Sequence, residues 1–270
     1  MKIGINASFV RKPGTGIGQV SLNFIKELAT ISSKSNSNSR NHPPRLPETH
    51  RRKAGKLTDN RYILYLEEPL PKSLKLPNNF ETRVFLPFWK RDDLIRKILW
   101  EKHLLPKMAR KDKCDIFFSL YQCPTVMPKN IRHIMLVHDL IPRLFPEYLN
   151  NSRKRKYQKL TEIAIREADH LIANSRRTEK DIIRELSVPG KKITTNYIDT
   201  DPRFNRKPTG EQIAKILRKH RLKPGYILGG MGLEKRKNIE GLMRAYKELL
   251  DKNTKENFLN KISEKYVSIP

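Results

Sequence analysis

The chain has 270 residues, 37% hydrophobic, 31% charged and 8% aromatic, with 56 Lys and Arg against 28 Asp and Glu, a formal net charge of +28. That apolar content suits one packed core and part of a second, and its periodic clustering excludes a wholly disordered chain. The charge argues for an anionic partner and for solubility, and says nothing of fold. No apolar run approaches the roughly 18 residues of a membrane span, and MKIGINASFVRKPGTG lacks the apolar core of a signal peptide. Cys114 and Cys123 form no C-x-x-C pair and are expected to be reduced structural thiols of a cytoplasmic protein.

In chain order, KIGINA (2–7) is a short buried strand. The glycine-rich RKPGTGIG follows, then a helix with Phe24, Ile25, Leu28 and Ile31 on one face. Residues 32–60, rich in Ser, Asn, Pro and basic side chains, predict a disordered insertion. YILYL (62–66) and RVFLP (83–87) are strands. Residues 92–111 are a helix with Leu94, Ile98, Leu99, His103 and Leu104 on one face, and Pro106 should kink or end it. DIFFSL (115–120) and HIMLV (133–137) are the continuous apolar runs of buried parallel strands. A helix at 152–168 opens with the basic SRKRKYQK and turns Leu160, Ile163, Ala164 and Ala168 inward. HLIAN (170–174) is a strand, Ser175 caps a helix carrying Thr178, Ile182, Ile183 and Leu186, and KITTN (192–196) is a short strand.

Residues 199–224 form a connector with one short helix near 211–220. A second strand–glycine–helix unit then opens, with YILGGMG (226–232) as strand and 238–250 as a helix turning Leu242, Ala245, Tyr246 and Leu249 inward. The alternation predicts an α/β chain with a Rossmann-like, doubly wound parallel sheet in residues 1–198, then an incomplete second Rossmann-like domain at 225–270.

Three motifs carry chemistry. Gly14, Gly16 and Gly18 precede the first helix, where backbone N–H groups and the helix dipole receive an anion, although the spacing departs from G-x-G-x-x-G. Gly229-Gly230-Met231-Gly232-Leu233-Glu234-Lys235-Arg236-Lys237-Asn238 places three cations at a second glycine-rich helix start, a plausible diphosphate site. In Val137-His138-Asp139-Leu140, a histidine stands at the end of a buried strand with an acid that could fix its tautomer or cap the next element. No His, Cys, Asp and Glu cluster has metal-ligand spacing.

These blocks, with LWEKHLLP, DIFFSLYQCP, VHDLIPRLFPEYL and ADHLIANSRRTEKDI, resemble the retaining GT-B glycosyltransferases of family 4 from Met1 to about Leu250. The resemblance implies transfer of a sugar from a nucleotide-diphosphate sugar to a glycan or lipid-linked acceptor, as in polysaccharide biosynthesis, by a hexosyltransferase such as a mannosyltransferase, without cofactor or metal. It implies that the first domain holds the acceptor and the second the donor. Gly14, Gly16 and Gly18 would lie against the donor phosphates, His138 near the transferred sugar, and Lys237, assisted by Arg236, on the diphosphate. The family's acidic pair, two glutamates separated by seven residues, belongs further along than this chain reaches. Glu240 and Glu248, like Glu256 and Glu264, have that spacing but read as surface charges. The expectation is a truncated chain, weakly active or inactive alone. The alternative is a basic binding module on an anionic membrane or nucleic acid. Nucleic acid is the weaker partner, because few aromatic residues lie among the basic ones. Peripheral contact with the inner membrane face agrees with the enzyme reading.

Overall fold

The computed structural model describes residues 1–34, 60–71, 74–85, 94–199, 206–227 and 237–251. The chain divides into two compact units, Met1–Asp199 and Thr200–Pro270.

The first unit is built on a seven-stranded parallel sheet. Its strands are β1 (Lys2–Asn6), β2 (Arg61–Leu66), β3 (Phe80–Val84), β4 (Ile116–Ser119), β5 (Arg132–Val137), β6 (His170–Ala173) and β7 (Ile193–Thr195), in the spatial order β3-β2-β1-β4-β5-β6-β7. Helices link them: α1 (Gly16–Lys34), α2 (Leu94–Ile98), α3 (Leu105–Lys111), α4 (Ile141–Leu144), α5 (Ser152–Glu167) and α6 (Arg176–Leu186). Sequence order reverses at β1, which pairs with β2 on one side and β4 on the other. This is the α/β Rossmann-like fold that the strand and helix alternation predicts. In such sheets the crevice outside the carboxyl ends at the reversal is where ligands bind.

The central strands are covered on both faces, as their unbroken apolar runs require. One cluster joins Ile5, Tyr62, Leu64 and Leu66 to Ile25 and Ala29 of α1. A second packs Ile63, Tyr65 and Phe117 against Trp100, Leu105 and Ala109. The third fixes Met135, Val137, Leu171 and Ala173 beneath Ala164, Ile165, Ile182 and Leu186.

Several expected boundaries and faces are corrected. The predicted insertion begins too early: residues 32–34 complete α1, Ser32 and Asn60 are buried, and residues 35–59 lie outside the described residues. Strand β3 starts three residues before the predicted RVFLP because the Phe80 ring stacks on Tyr62 with centroids 4.7 Å apart. As an edge strand it needs only one buried side chain there, so FETRV lacks the apolar run of a central strand. Inner faces also move by a residue: Ile31, Ile163 and Ile183 are exposed, while Ala29, Thr161, Ile165 and Asp181 are buried.

The largest correction concerns Pro106, which does not end the helical stretch. A π-helical segment, Leu99–Leu104, joins α2 to α3, and the Leu105 N–H reaches the Trp100 carbonyl. Proline has no N–H to bond the next carbonyl in that pattern, that of Glu101. The Thr125 hydroxyl supplies the missing donor to the Glu101 carbonyl at 2.7 Å. The wide turn shifts the buried stripe to Arg96, Trp100, Glu101, Leu105 and Ala109, and the expected face members Leu99 and His103 are exposed.

In the second unit, α7 (Gly210–His220) starts in a capping box between Thr209 and Gln212, and α8 (Ile239–Asp251) follows. Tyr226 and Ile227 form no strand, and the rest of the predicted strand lies outside the described residues. Leu242, Ala245 and Tyr246, expected to face inward, are exposed, since an amphipathic pattern marks an apolar face without supplying its cover.

Candidate active-site crevice

The segments that follow β1, β4 and β5 converge at the reversal point. After β1, Asn6 turns its side chain back, and its Oδ1 accepts from the Ser8 hydroxyl at 2.6 Å and from the Ser8 N–H at 3.3 Å. Ser8 Oγ in turn accepts from Trp100 Nε1 at 2.9 Å, tying this turn to the π-helical segment. Arg11 and Arg96 share the buried Glu67 carboxylate at 3.3 and 2.8 Å. The turn carrying the glycine loop is thereby anchored to the end of β2 and to α2.

Within that loop the three glycines differ. A Cβ on Gly18 would stand 1.9 Å from the Lys12 carbonyl oxygen, whereas Gly14 and Gly16 have nothing within 4 Å. Thr15 donates its hydroxyl to the Lys12 carbonyl at 2.9 Å and accepts from the Gly18 N–H at 3.1 Å, which caps α1. Gly18 is thus a packing requirement. Gly14 and Gly16 leave open space where an anion could approach the helix start.

His138 directly follows β5 and is 8% exposed. Its Nε2 lies 3.0 Å from the Leu120 carbonyl, its N–H donates to Gln122 Oε1 at 3.1 Å, and its carbonyl accepts from Thr178 Oγ1 at 3.1 Å. Burial pushes the imidazole below its ordinary pKa, against smaller upward pulls from the Leu120 carbonyl and Asp139. A neutral ring that donates from Nε2 to Leu120 keeps Nδ1 as an acceptor. Of the two roles read for Asp139, the bond to the next element is the one observed: its Oδ1 accepts from the Ile141 N–H at 3.0 Å, at the start of α4.

Beside these residues opens a cavity of about 250 Å³. Phe9 comes to it from the turn after β1 and Ile17 from the first turn of α1, Tyr121 and Gln122 from the segment after β4, and Asp139 and Leu140 from the segment after β5. Lys97 of α2 and Lys154, Tyr157 and Gln158 of α5 complete much of the wall. Behind the wall lies Glu101, fully buried, whose two oxygens accept from the Tyr121 and Tyr157 hydroxyls, each at 2.7 Å. Burial raises the Glu101 pKa, opposed by the Lys97 charge and by both tyrosine hydroxyls. The Lys97 ammonium sits 4.8 Å from the Phe9 ring centre and 5.6 Å from that of Tyr157.

Of the sequence-predicted site residues, Gly14, Gly16, Gly18 and His138 belong to this unit, though none lines the cavity itself. Lys237 is exposed at the start of the second unit's α8, and Arg236 lies outside the described residues. Glu240, 3.6 Å from Arg244, is a solvated surface charge. Lys97, Glu101, Tyr121, Lys154 and Tyr157 were not singled out from sequence. Lys154 and Tyr157 lie in the basic run at 152–159, Glu101 in LWEKHLLP and Tyr121 in DIFFSLYQCP, blocks that mark segments without marking these side chains. Among the described residues no group of His, Cys, Asp and Glu could hold a metal ion, and no helix is long and apolar enough to cross a membrane.

The model of Glycosyltransferase Family 4 matches residues 61–201, just over half of the chain, spanning β2 to the end of the first unit. The chain belongs to glycosyltransferase family 4. No curated protein matches the chain. Among solved structures it is similar to a glycosyltransferase from Rickettsia africae ESF-5, with 9% identity and a TM-score of 0.36 over 83% of this chain and 50% of that one. It is also similar to HepE from Anabaena, whose structure is a complex with UDP and glucose, with 16% identity and a TM-score of 0.43 over 81% of this chain and 50% of that one. The family 4 chain thus spans about half the length of these two proteins.

Proposed function

We propose that this glycosyltransferase transfers a hexosyl group, such as mannosyl, from a nucleotide-diphosphate sugar to a glycan or lipid-linked acceptor with retention of configuration, and that the acceptor occupies the cavity at the reversal point. The observation that carries the reading is that cavity itself, lined with aromatic rings and amide side chains at the carboxyl ends of β1, β4 and β5. Aromatic faces and planar amides are suited to a sugar's apolar and hydroxyl surfaces.

On the donor side, bond breaking develops negative charge on the leaving diphosphate and oxocarbenium character on the sugar. Lys237 and Arg236 are assigned to the diphosphate, and the open backbone at Gly14 and Gly16 to its approach. His138 is assigned to the transferred sugar, as a neutral group with Nδ1 available as acceptor. A metal has no part in this scheme.

Calorimetric titration of residues 1–270 with UDP, GDP, ADP and their sugar conjugates tests the donor assignment. Saturable binding that weakens at least about tenfold in Lys237→Ala, the worth of one charged contact, supports it. Absence of binding by folded protein, or unchanged binding by the variant, overturns it.

The first turn of α5 places Arg153, Lys154, Arg155 and Lys156 together without an acidic residue. This turn favours peripheral contact with anionic lipid. Vesicles of phosphatidylglycerol should sediment with the protein where phosphatidylcholine vesicles do not. Equal behaviour of the two removes the membrane contact.

A further inference from the structure

We infer that Gln122 is a positioning residue of this enzyme: its side-chain amide meets the acceptor in the crevice cavity and also holds the His138–Asp139 backbone, so that an acceptor in place sets His138. This rests on the assignment of that cavity to the acceptor and of His138 to the transferred sugar.

The ladder between β4 and β5 closes at the pair Ser119 and Met135, while β5 runs on to Val137. Beyond that pair the Gln122 side chain takes the place of the missing strand. Its Oε1 accepts from the His138 N–H and its Nε2 donates to the Asp139 carbonyl, both at 3.1 Å. One acceptor and one donor are what the backbone of a neighbouring strand would present. A strand in a sheet is fixed, whereas a side-chain amide turns about its own torsions. The amide is planar, so turning one end moves both bonds.

The same short segment holds the imidazole, whose Nε2 donates to the Leu120 carbonyl at 3.0 Å. From the other side, Thr178 of α6 donates its hydroxyl to the His138 carbonyl at 3.1 Å. Two of these three anchors thus come from residues 120–122. That segment also supplies Tyr121 and Gln122 to the cavity wall, while His138 does not line the cavity. A primary amide offers two hydrogens on nitrogen and two lone pairs on oxygen. The bonds to His138 and Asp139 use one of each. The second positions suit a sugar hydroxyl, which both donates and accepts. A hydroxyl seated there loads the group that carries the His138 N–H, and the acceptor reaches a residue it does not touch.

The test uses residues 1–270 with 15N-labelled histidine, the His138 ring signals being those lost in His138→Gln. Methyl α-glucoside and methyl α-mannoside are titrated into wild type, Gln122→Met and Gln122→Asn. Methionine makes neither bond, and asparagine is a methylene too short to make both, so one folded variant suffices, as circular dichroism checks. Binding is followed separately by ligand-observed NMR. In wild type the His138 nitrogen shifts should follow the sugar's saturation curve. In the variants the sugar should bind about two- to tenfold more weakly, the worth of one neutral hydrogen bond, and at saturation the His138 response should be lost. Binding without a His138 response in wild type overturns the inference and leaves the acceptor assignment standing. A response that survives in the variants also overturns it, since the sugar then meets His138 by another route. Failure of both sugars to bind overturns the acceptor assignment and the inference with it.

Discussion

Replacing Gly18 by alanine should destabilise the first unit far more than the same change at Gly14 or Gly16. The added methyl would lie 1.9 Å from the Lys12 carbonyl oxygen, 2.6 Å from the Lys12 carbonyl carbon and 3.0 Å from the Phe9 carbonyl oxygen. All three are backbone atoms, so no side chain can swing aside. The loop must move by more than an ångström to restore contacts near 3.3 Å. Overpacking of this kind costs about 1–3 kcal/mol. The shift also separates the Gly18 N–H and the Lys12 carbonyl from the Thr15 hydroxyl that bonds both, a lost helix cap worth about 1 kcal/mol. The sum is roughly 2–4 kcal/mol. Gly14→Ala and Gly16→Ala meet open space, and each should stay within about 1 kcal/mol of wild type. Urea unfolding followed by far-ultraviolet circular dichroism measures the difference as a lower midpoint for Gly18→Ala alone. A Gly18→Ala midpoint equal to that of wild type, or equal losses in all three variants, would refute the reasoning. The comparison also separates roles, because donor binding can be assayed cleanly only in the Gly14 and Gly16 variants.

Glu101→Leu strips two buried tyrosine hydroxyls of their acceptor and should lose about 2–4 kcal/mol by urea titration, with Glu101→Gln losing less. Thr125→Val leaves the Glu101 carbonyl beside Pro106 without its donor and should cost about 1–3 kcal/mol in the same assay. Burial lowers the His133 pKa to about 4 despite the nearby Asp169, so the unfolded chain binds the proton more readily than the folded one. Its contribution, about 3 kcal/mol, is complete above the ordinary value near 6.5 and is lost as pH falls towards 4; His133→Gln should flatten the midpoint-versus-pH curve across that window. Burial pushes the Cys123 thiol up to about 12, and Cys114 is also buried and raised. Neither should react with iodoacetamide at pH 8 until the protein unfolds, as mass spectrometry can follow.

The sheet was legible because its inner strands advertise themselves. ILYL, FFS and IMLV are apolar on both faces, which only a covered parallel strand requires. Ser175 likewise announces its helix, and its Oγ accepts from the Thr178 N–H at 3.1 Å. Edge strand β3 was displaced because FETRV pairs with a neighbour on one side only and needs little apolar surface. The largest failure of a helix face came where the period was not 3.6. The spacing of 92–111 assumed regular turns, and the π-helical segment rotated a different stripe inward. The site followed the same division. His138 and the first glycine loop were visible as residues at strand ends. Glu101, Tyr121 and Tyr157 were not, because the bonds joining them span 20 and 56 residues and leave no local pattern.

The π-helical segment gives the helix behind this crevice a tolerance to a change in length. In a regular helix each residue turns the chain by about 100°. The buried residues Arg96, Trp100, Leu105 and Ala109 step by four, five and four, so the segment holds one residue more than an unbroken α-helix needs. Deleting one residue after Glu101 and before Leu105 would restore a uniform step of four and keep all four in the core. The helix would survive a loss of length that elsewhere would turn its remainder to the wrong side. Lys97 and Glu101 would keep their places, because five residues of the wider turn and four of an α-helix bring the chain round by nearly the same angle. A family member could thus shorten this stretch by one residue and leave the wall beside it as it stands.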